Sequence, residues 1–190
     1  GAFMSMLGIS FLREIVQKEY ITHPGVILRK LRKEIIKSLK QKGASGEQKD
    51  GMDMALISID HENNTMQFAG ANNPLYLIKI NKAIQPDKDI PIQEIKGDKM
   101  PIAIYEKMDK YKTHEINLAE IDSLYMFSDG YADQFGGPKN KKFKYKPFKK
   151  LIYDNSNKLM SEQKTILEKT FSNWKGSNDQ LDDVLVIGLK

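Results

Sequence analysis

Two stretches place aspartate at the edge of a strongly apolar run, where solubility does not need a charge and a rigid scaffold would hold one in position. One is Leu124-Tyr125-Met126-Phe127-Ser128-Asp129-Gly130, and the other is Asp182-Asp183-Val184-Leu185-Val186-Ile187. A carboxylate at a strand end, followed by a glycine that admits backbone or solvent closely, suits an oxygen-ligand site for Mg2+ or Mn2+, because hard cations prefer oxygen. The same residues also read without chemistry: Asp-Gly after a strand is a common turn, and Asp-Asp before a strand is a cap. Spacing alone leaves both readings open. The chain has no cysteine, which excludes thiol catalysis, thiolate zinc sites, iron–sulfur clusters and disulfides, and leans towards a reducing, cytoplasmic setting. Its three histidines, His23, His61 and His114, fall in loop or strand contexts where an ordinary surface histidine is the plainer reading.

The elements that must position these aspartates are visible in the hydrophobic periodicity. Met4, Leu7, Phe11 and Ile15 recur at spacings of three and four, which predicts a helix over 3–20. His23-Pro24-Gly25 breaks it and opens a second helix with Ile27, Leu28, Leu31, Ile35 and Leu39 on one face. Arg29, Lys30, Arg32, Lys33, Lys37 and Lys40 fall largely on the other, and residues 43–50 read as a loop closing the pair. After Gly51 the period changes to two, predicting a hairpin with a turn at 61–64 and a return strand over 65–71. A third strand follows at 75–78, then a polar stretch punctuated by Pro86, Pro91 and Pro101 with one short strand at 92–95. Further strands are expected over 113–118, 123–128 and 184–189, with helices around 147–153 and 162–174. In the second of these helices, core packing explains Trp174 better than ligand stacking does. The order predicts an α+β fold, a sandwich-like system of antiparallel sheets with helices outside. It occupies a single domain over 1–190: a helix pair over 1–42, mainly sheet over 51–130, and helices with a last strand over 143–190.

Composition agrees with one packed core, since 190 residues at 40% hydrophobic and 29% charged exclude a disordered tail and a fibrous repeat. No apolar run approaches the roughly 18 residues that cross a bilayer, so no membrane contact is expected. The net charge of +5 arises from 30 basic against 25 acidic residues, concentrated over 29–42 and 139–150. Such a balance attracts anionic partners, and it also describes solvated lysine faces. The stretch 139–150 interleaves Phe143, Tyr145 and Phe148, which would suit single-stranded nucleic acid. It reads better as a basic flap following the Asp129 motif or as a solvated face, so nucleic acid is not an expected partner.

Several segments resemble, in order along the chain, the SpoIIE-type serine phosphatase domain, the bacterial branch of the metal-dependent PP2C-like phosphatases. They are Gly-Ala-Phe-Met-Ser-Met-Leu-Gly at 1–8, Asp-Gly-Met-Asp at 50–53, residues 70–74, Phe-Ser-Asp-Gly-Tyr-Ala-Asp-Gln-Phe-Gly-Gly at 127–137, and Asp-Asp-Val at 182–184. The resemblance implies an α-β-β-α sandwich of two antiparallel sheets flanked by helices, with two Mn2+ or Mg2+ ions in a cleft. It implies hydrolysis of phosphoserine or phosphothreonine on a regulatory protein such as an anti-sigma-factor antagonist, by a metal-activated water and without a protein nucleophile. By position, Asp129 and Asp182 look like metal ligands, and Asp183, Gly130 and Asp53 look like supporting positions beside them. In the family, an Asp-x-Thr-Gly-His-Gly motif directly precedes Gly-Ala-Phe-Met-Ser, and the first residues here enter an apolar pattern with no cap. The expectation is therefore an N-terminally truncated domain that binds metal poorly and is itself inactive, with an upstream sensor or signalling segment in the full-length protein and the helix pair as a switch to it. Leu185 stands where the family often has threonine or serine. Open sheet edges left by truncation would admit a homodimer. The competing expectation is a pseudophosphatase, or a regulatory module that binds a protein without catalysis.

Overall fold

In the computed structural model, which describes residues 2–43, 50–80 and 90–190, the N-terminal stripe folds as helix α1 (Ala2–Arg13), continued by a π-helical turn (Glu14–Lys18). Gly1, most of the loop predicted over 43–50, and Pro86 lie outside the described residues. Ile15 is buried, and Met4, Leu7 and Phe11 pack against the same core. Helix α2 (Pro24–Ser38) starts on Pro24, whose fixed φ suits a first helical turn, and seats Ile27, Leu28, Leu31 and Ile35 on Ala69, Ala71, Met100 and Ile102.

Arg32 departs from the solvent-facing set predicted for it. It is only 8% exposed, donating from Nη1 to Met100 Sδ (3.2 Å) and from Nη2 to the Asp109 carbonyl (2.6 Å), with its guanidinium 4.8 Å from the centre of the Tyr111 ring. The reason is helical geometry. Arg32 stands four residues after Leu28 and so shares its inward stripe. The carbonyl and the ring replace the water that a buried cation gives up.

The chain divides into two compact units, 1–74 with 96–119, and 75–95 with 120–190. The first contains the predicted hairpin, β1 (Met54–Asp60) paired antiparallel with β2 (Thr65–Ala71) from Met54 opposite Ala71 to Asp60 opposite Thr65. Its turn is closed by the Asp60 carboxylate, which accepts from the Glu62 and Asn63 amides and from Asn63 Nδ2. Strand β5 (His114–Asn117) adds to the other side of β2.

The second unit is built on a four-stranded antiparallel sheet. Its order is β4 (Gln93–Ile95), β3 (Leu75–Lys79), β6 (Ile121–Phe127), β9 (Val186–Leu189). Helices α4 (Tyr145–Asn155) and α5 (Met160–Lys175) close a core of Tyr76, Tyr125, Phe127, Tyr131, Phe143 and Phe148. Its rings meet edge to face or tilted, with Phe127 and Phe148 5.0 Å apart and Tyr131 and Phe171 5.1 Å apart. Phe143 and Phe148 therefore point inward, so the aromatic and basic stretch presents neither for stacking on a nucleic acid. Of its three rings only Tyr145 is substantially exposed, at 42%. Two further elements carry no periodic signal because they are too short: α3 (Gly130–Asp133) and the hairpin of β7 (Phe135–Gly136) with β8 (Lys141–Lys142).

Burial pushes the phenols of Tyr76, Tyr125 and Tyr131, and that of Tyr111 in the first unit, above their ordinary value near 10. Because the folded-state values are raised, the stability these groups supply is complete below about pH 10 and is lost as pH rises towards those values. Alkaline titration followed by tyrosinate absorbance is expected to show four of the eight tyrosines ionising only as the fold is lost. Smooth ionisation of all eight with the fold intact would contradict this burial.

Candidate metal centre

Strand β6 ends at Phe127, and the next three residues turn the chain out of the sheet. Asp129 stands at the N-cap position of the four-residue α3, its carbonyl accepting from the Asp133 amide (2.9 Å), with its side chain exposed. Against this turn runs the irregular segment that leads into β9. Ser128 joins the two: its hydroxyl donates to the Asp183 carbonyl (2.8 Å) and accepts from the Leu185 amide (2.9 Å), while its own amide donates to the Leu185 carbonyl (3.0 Å). The strand predicted over 184–189 accordingly starts only at Val186, since Ser128 takes both backbone groups of Leu185 just beyond the ladder.

Gly130 is required by this approach. A Cβ there would lie 2.5 Å from the Asp183 oxygen and 3.1 Å from its carbonyl carbon, a contact with backbone that no rotamer can relieve. Asp182 and Asp183 are both exposed, and the segment is ordered locally by the Asp183 amide donating to Asp182 Oδ1 (2.7 Å) and Gln180 Nε2 donating to the Asp182 carbonyl (2.8 Å). The structure thus lays the motif containing Asp129 and Gly130 against the motif containing Asp182 and Asp183, backbone to backbone.

Asp53 belongs to the first unit, just ahead of β1, where its carboxylate accepts from Asn72 Nδ2 (2.7 Å). His23 is also in the first unit, with its Nδ1 3.3 Å from Thr113 Oγ1. An apolar groove of about 490 Å3 between α5 and β9 touches the same segment through Val184 and Leu185 but is lined by neither Asp129 nor Asp182.

As donors, the Asp129 and Asp182 carboxylates are hard, exposed oxygens, the chemistry that Mg2+ and Mn2+ take. They fit such an ion in type. Among the described residues no group of three histidine, cysteine, aspartate or glutamate side chains gathers to hold a metal. The hydroxyl of Ser128 and the amide of Gln134 are the functional groups that motif reading passed over. Each stands between an aromatic residue and an acid, Ser128 between Phe127 and Asp129 and Gln134 between Asp133 and Phe135, and nothing in that local pattern marks it out.

The architecture is one already seen in solved phosphatase domains. The SiaA-PP2C domain of Pseudomonas aeruginosa superposes with a TM-score of 0.80 at 24% identity, covering 100% of this chain and 69% of that one. The phosphatase domain of the cell fate determinant SpoIIE from Bacillus subtilis, in an Mn-presoaked structure, superposes with a TM-score of 0.51 at 14% identity, covering 96% of this chain and 72% of that one. The fold is therefore the PP2C-like α+β fold. A sequence profile for Stage II sporulation protein E (SpoIIE) matches residues 1–190, and the chain belongs to that family. No curated protein matches it.

Proposed function

We propose that the chain is a metal-dependent protein serine/threonine phosphatase domain that removes phosphate from a phosphoserine or phosphothreonine of a regulatory protein, such as an anti-sigma-factor antagonist. The observation that carries this reading is the seating of Asp129 beside the Asp182–Asp183 segment, in a chain of the SpoIIE family. Asp129 and Asp182 would hold Mn2+ or Mg2+, which when bound supplies an activated water and neutralises charge on the phosphoryl oxygens. Exposed Lys139, Lys141 and Lys144 add a positive field in the same unit, favourable to an approaching phosphoprotein. Two carboxylates leave most of six coordination positions to water, so this chain alone holds the ion weakly and turns over little.

The second reading, a partner-binding pseudophosphatase, is favoured by the absence of a three-ligand cluster among the described residues. Hydrolysis of p-nitrophenyl phosphate and of a phosphoserine peptide with Mn2+ separates the two. The comparison is between this chain, a version extended upstream, and the extended version with Asp129→Ala. Turnover is expected in the extended protein and is expected to vanish with Asp129→Ala. A folded, metal-loaded extended protein that hydrolyses neither substrate would sink the phosphatase reading.

A further inference from the structure

We propose that Ser128 and Gln134 are positioning residues for the cation site, forming a two-point clamp on the loop that carries Asp182; this inference rests on the metal-site reading above. Between the end of α5 at Lys175 and the start of β9 at Val186 the chain has no regular element, and Asp182 and Asp183 are exposed within it. A carboxylate on such a segment holds a fixed position only if something outside the segment pins it. The Gln180 and Asp182 hydrogen bonds within the loop give it local shape but do not attach it to the scaffold.

The attachment comes from both flanks of Asp129. Gln134 is 1% exposed, and its Nε2 donates to the Asp179 carbonyl (2.9 Å) and to the Phe135 carbonyl (3.0 Å), while its Oε1 accepts from the Leu181 amide (3.4 Å). Its backbone carbonyl is itself held, accepting from Trp174 Nε1 (3.0 Å) and from the Phe143 amide (2.9 Å). Ser128 takes the other end, through the Asp183 carbonyl and the Leu185 amide. Asp182 therefore lies between two pinned neighbours, Leu181 held by Gln134 and Asp183 held by Ser128. Both pins come from the short segment that also supplies Asp129, and they act on the stretch around Asp182 itself, while the Ser128 amide bond to the Leu185 carbonyl (3.0 Å) and the Asn178 bonds to the Phe135 carbonyl (3.2 Å) and Asn140 Oδ1 (3.0 Å) hold the two ends of the loop.

Partners that orient a metal's ligands typically change affinity about 10- to 100-fold. The test uses this chain with Ser128→Ala, Ser128→Thr and Gln134→Met, the last keeping bulk while removing the amide. Mn2+ is titrated by paramagnetic broadening of backbone amide signals, a readout that works for weak binding and needs no turnover. Amide exchange at Leu181 and Leu185 and thermal melting are measured alongside.

Ser128→Ala and Gln134→Met are each expected to raise the Mn2+ concentration for half-broadening about tenfold. Exchange should speed at Leu185 in the first and at Leu181 in the second, with broadening near Asp182 lost before broadening near Asp129. Ser128→Thr should restore wild-type behaviour, and Ser128→Ala should melt close to wild type. Wild-type Mn2+ response in both Ser128→Ala and Gln134→Met would overturn the clamp alone, as would a loss that follows melting temperature and is not rescued by threonine. No Mn2+ response in the unsubstituted chain would overturn the metal site and the clamp with it.

Discussion

Gly136→Ala is expected to cost about 3 kcal/mol of stability, the upper part of the range for forced overpacking. The added Cβ would fall within bonding reach of the Trp174 carbonyl oxygen, 2.6 Å from the carbonyl carbon and 2.9 Å from Cδ1 of the same residue. Neither partner can step aside. The Trp174 carbonyl already accepts from the Gly137 amide (2.8 Å), and its indole is fixed by the Nε1 bond to Gln134 and by the Phe143 ring at 5.3 Å. Relief would mean unpairing β7 from β8 or shifting the end of α5. In a domain of this length the loss corresponds to a melting temperature lower by about 6 to 12 °C. Gly8→Ala is the control, since its Cβ meets only the flexible end of Met52 (3.1 Å to Cε, 3.2 Å to Sδ) and it lies inside α1, where alanine is favoured over glycine by about 1 kcal/mol. Equal melting shifts for the two variants would show that β7 is not seated on Trp174 as described.

Gly130→Val is expected to weaken Mn2+ binding about 100-fold, more than removing either pin of the loop alone. The first Cβ atom meets the Asp183 carbonyl at 2.5 Å and Val184 Cγ2 at 3.3 Å, so the acidic loop must lift away from the turn that carries Asp129. Lifting it also strains both Ser128 hydroxyl bonds, because they end on Asp183 and Leu185. Calorimetric titration with Mn2+ checks the prediction, with circular dichroism confirming that the sheet persists. Wild-type affinity in the valine variant would mean that the two acidic motifs do not act on one ion.

Parts of this molecule were readable from sequence because their physics is local. The hairpin of β1 and β2 showed in the turn-forming Asp-His-Glu-Asn-Asn between two mainly apolar runs of strand length, although β1 opens on four successive apolar residues, Met-Ala-Leu-Ile, and does not alternate strictly. Trp174 was legible as a packing residue from its helical spacing with Phe171, and it packs on Phe143. Arg32 was missed because its type outweighed its position four residues after Leu28. The elements α3, β7 and β8 span four, two and two residues, too few to show a period.

The candidate site divides the same way. Asp129 and Asp182 were legible as types at strand edges, and the motif order along the chain pointed to the family. Their mutual seating was not legible, because it depends on Ser128 reaching 55 residues ahead to Asp183 and Gln134 reaching 45 ahead to Asp179. Long-range polar contacts of this kind leave no periodic trace in a sequence.

The buried guanidinium of Arg32 also indexes α2. A helix held only by apolar side chains can turn or slip on its bed at modest cost, because one hydrocarbon surface resembles the next. Advancing α2 by a single residue would strip Arg32 from the Asp109 carbonyl and from Met100, and would carry Lys33 towards the place they occupy. Such a cation without partners is costly to bury. The helix consequently has one seating on its bed and no neighbouring register of similar energy, and any displacement of α2 must carry Met100, Asp109 and Tyr111 along as one piece.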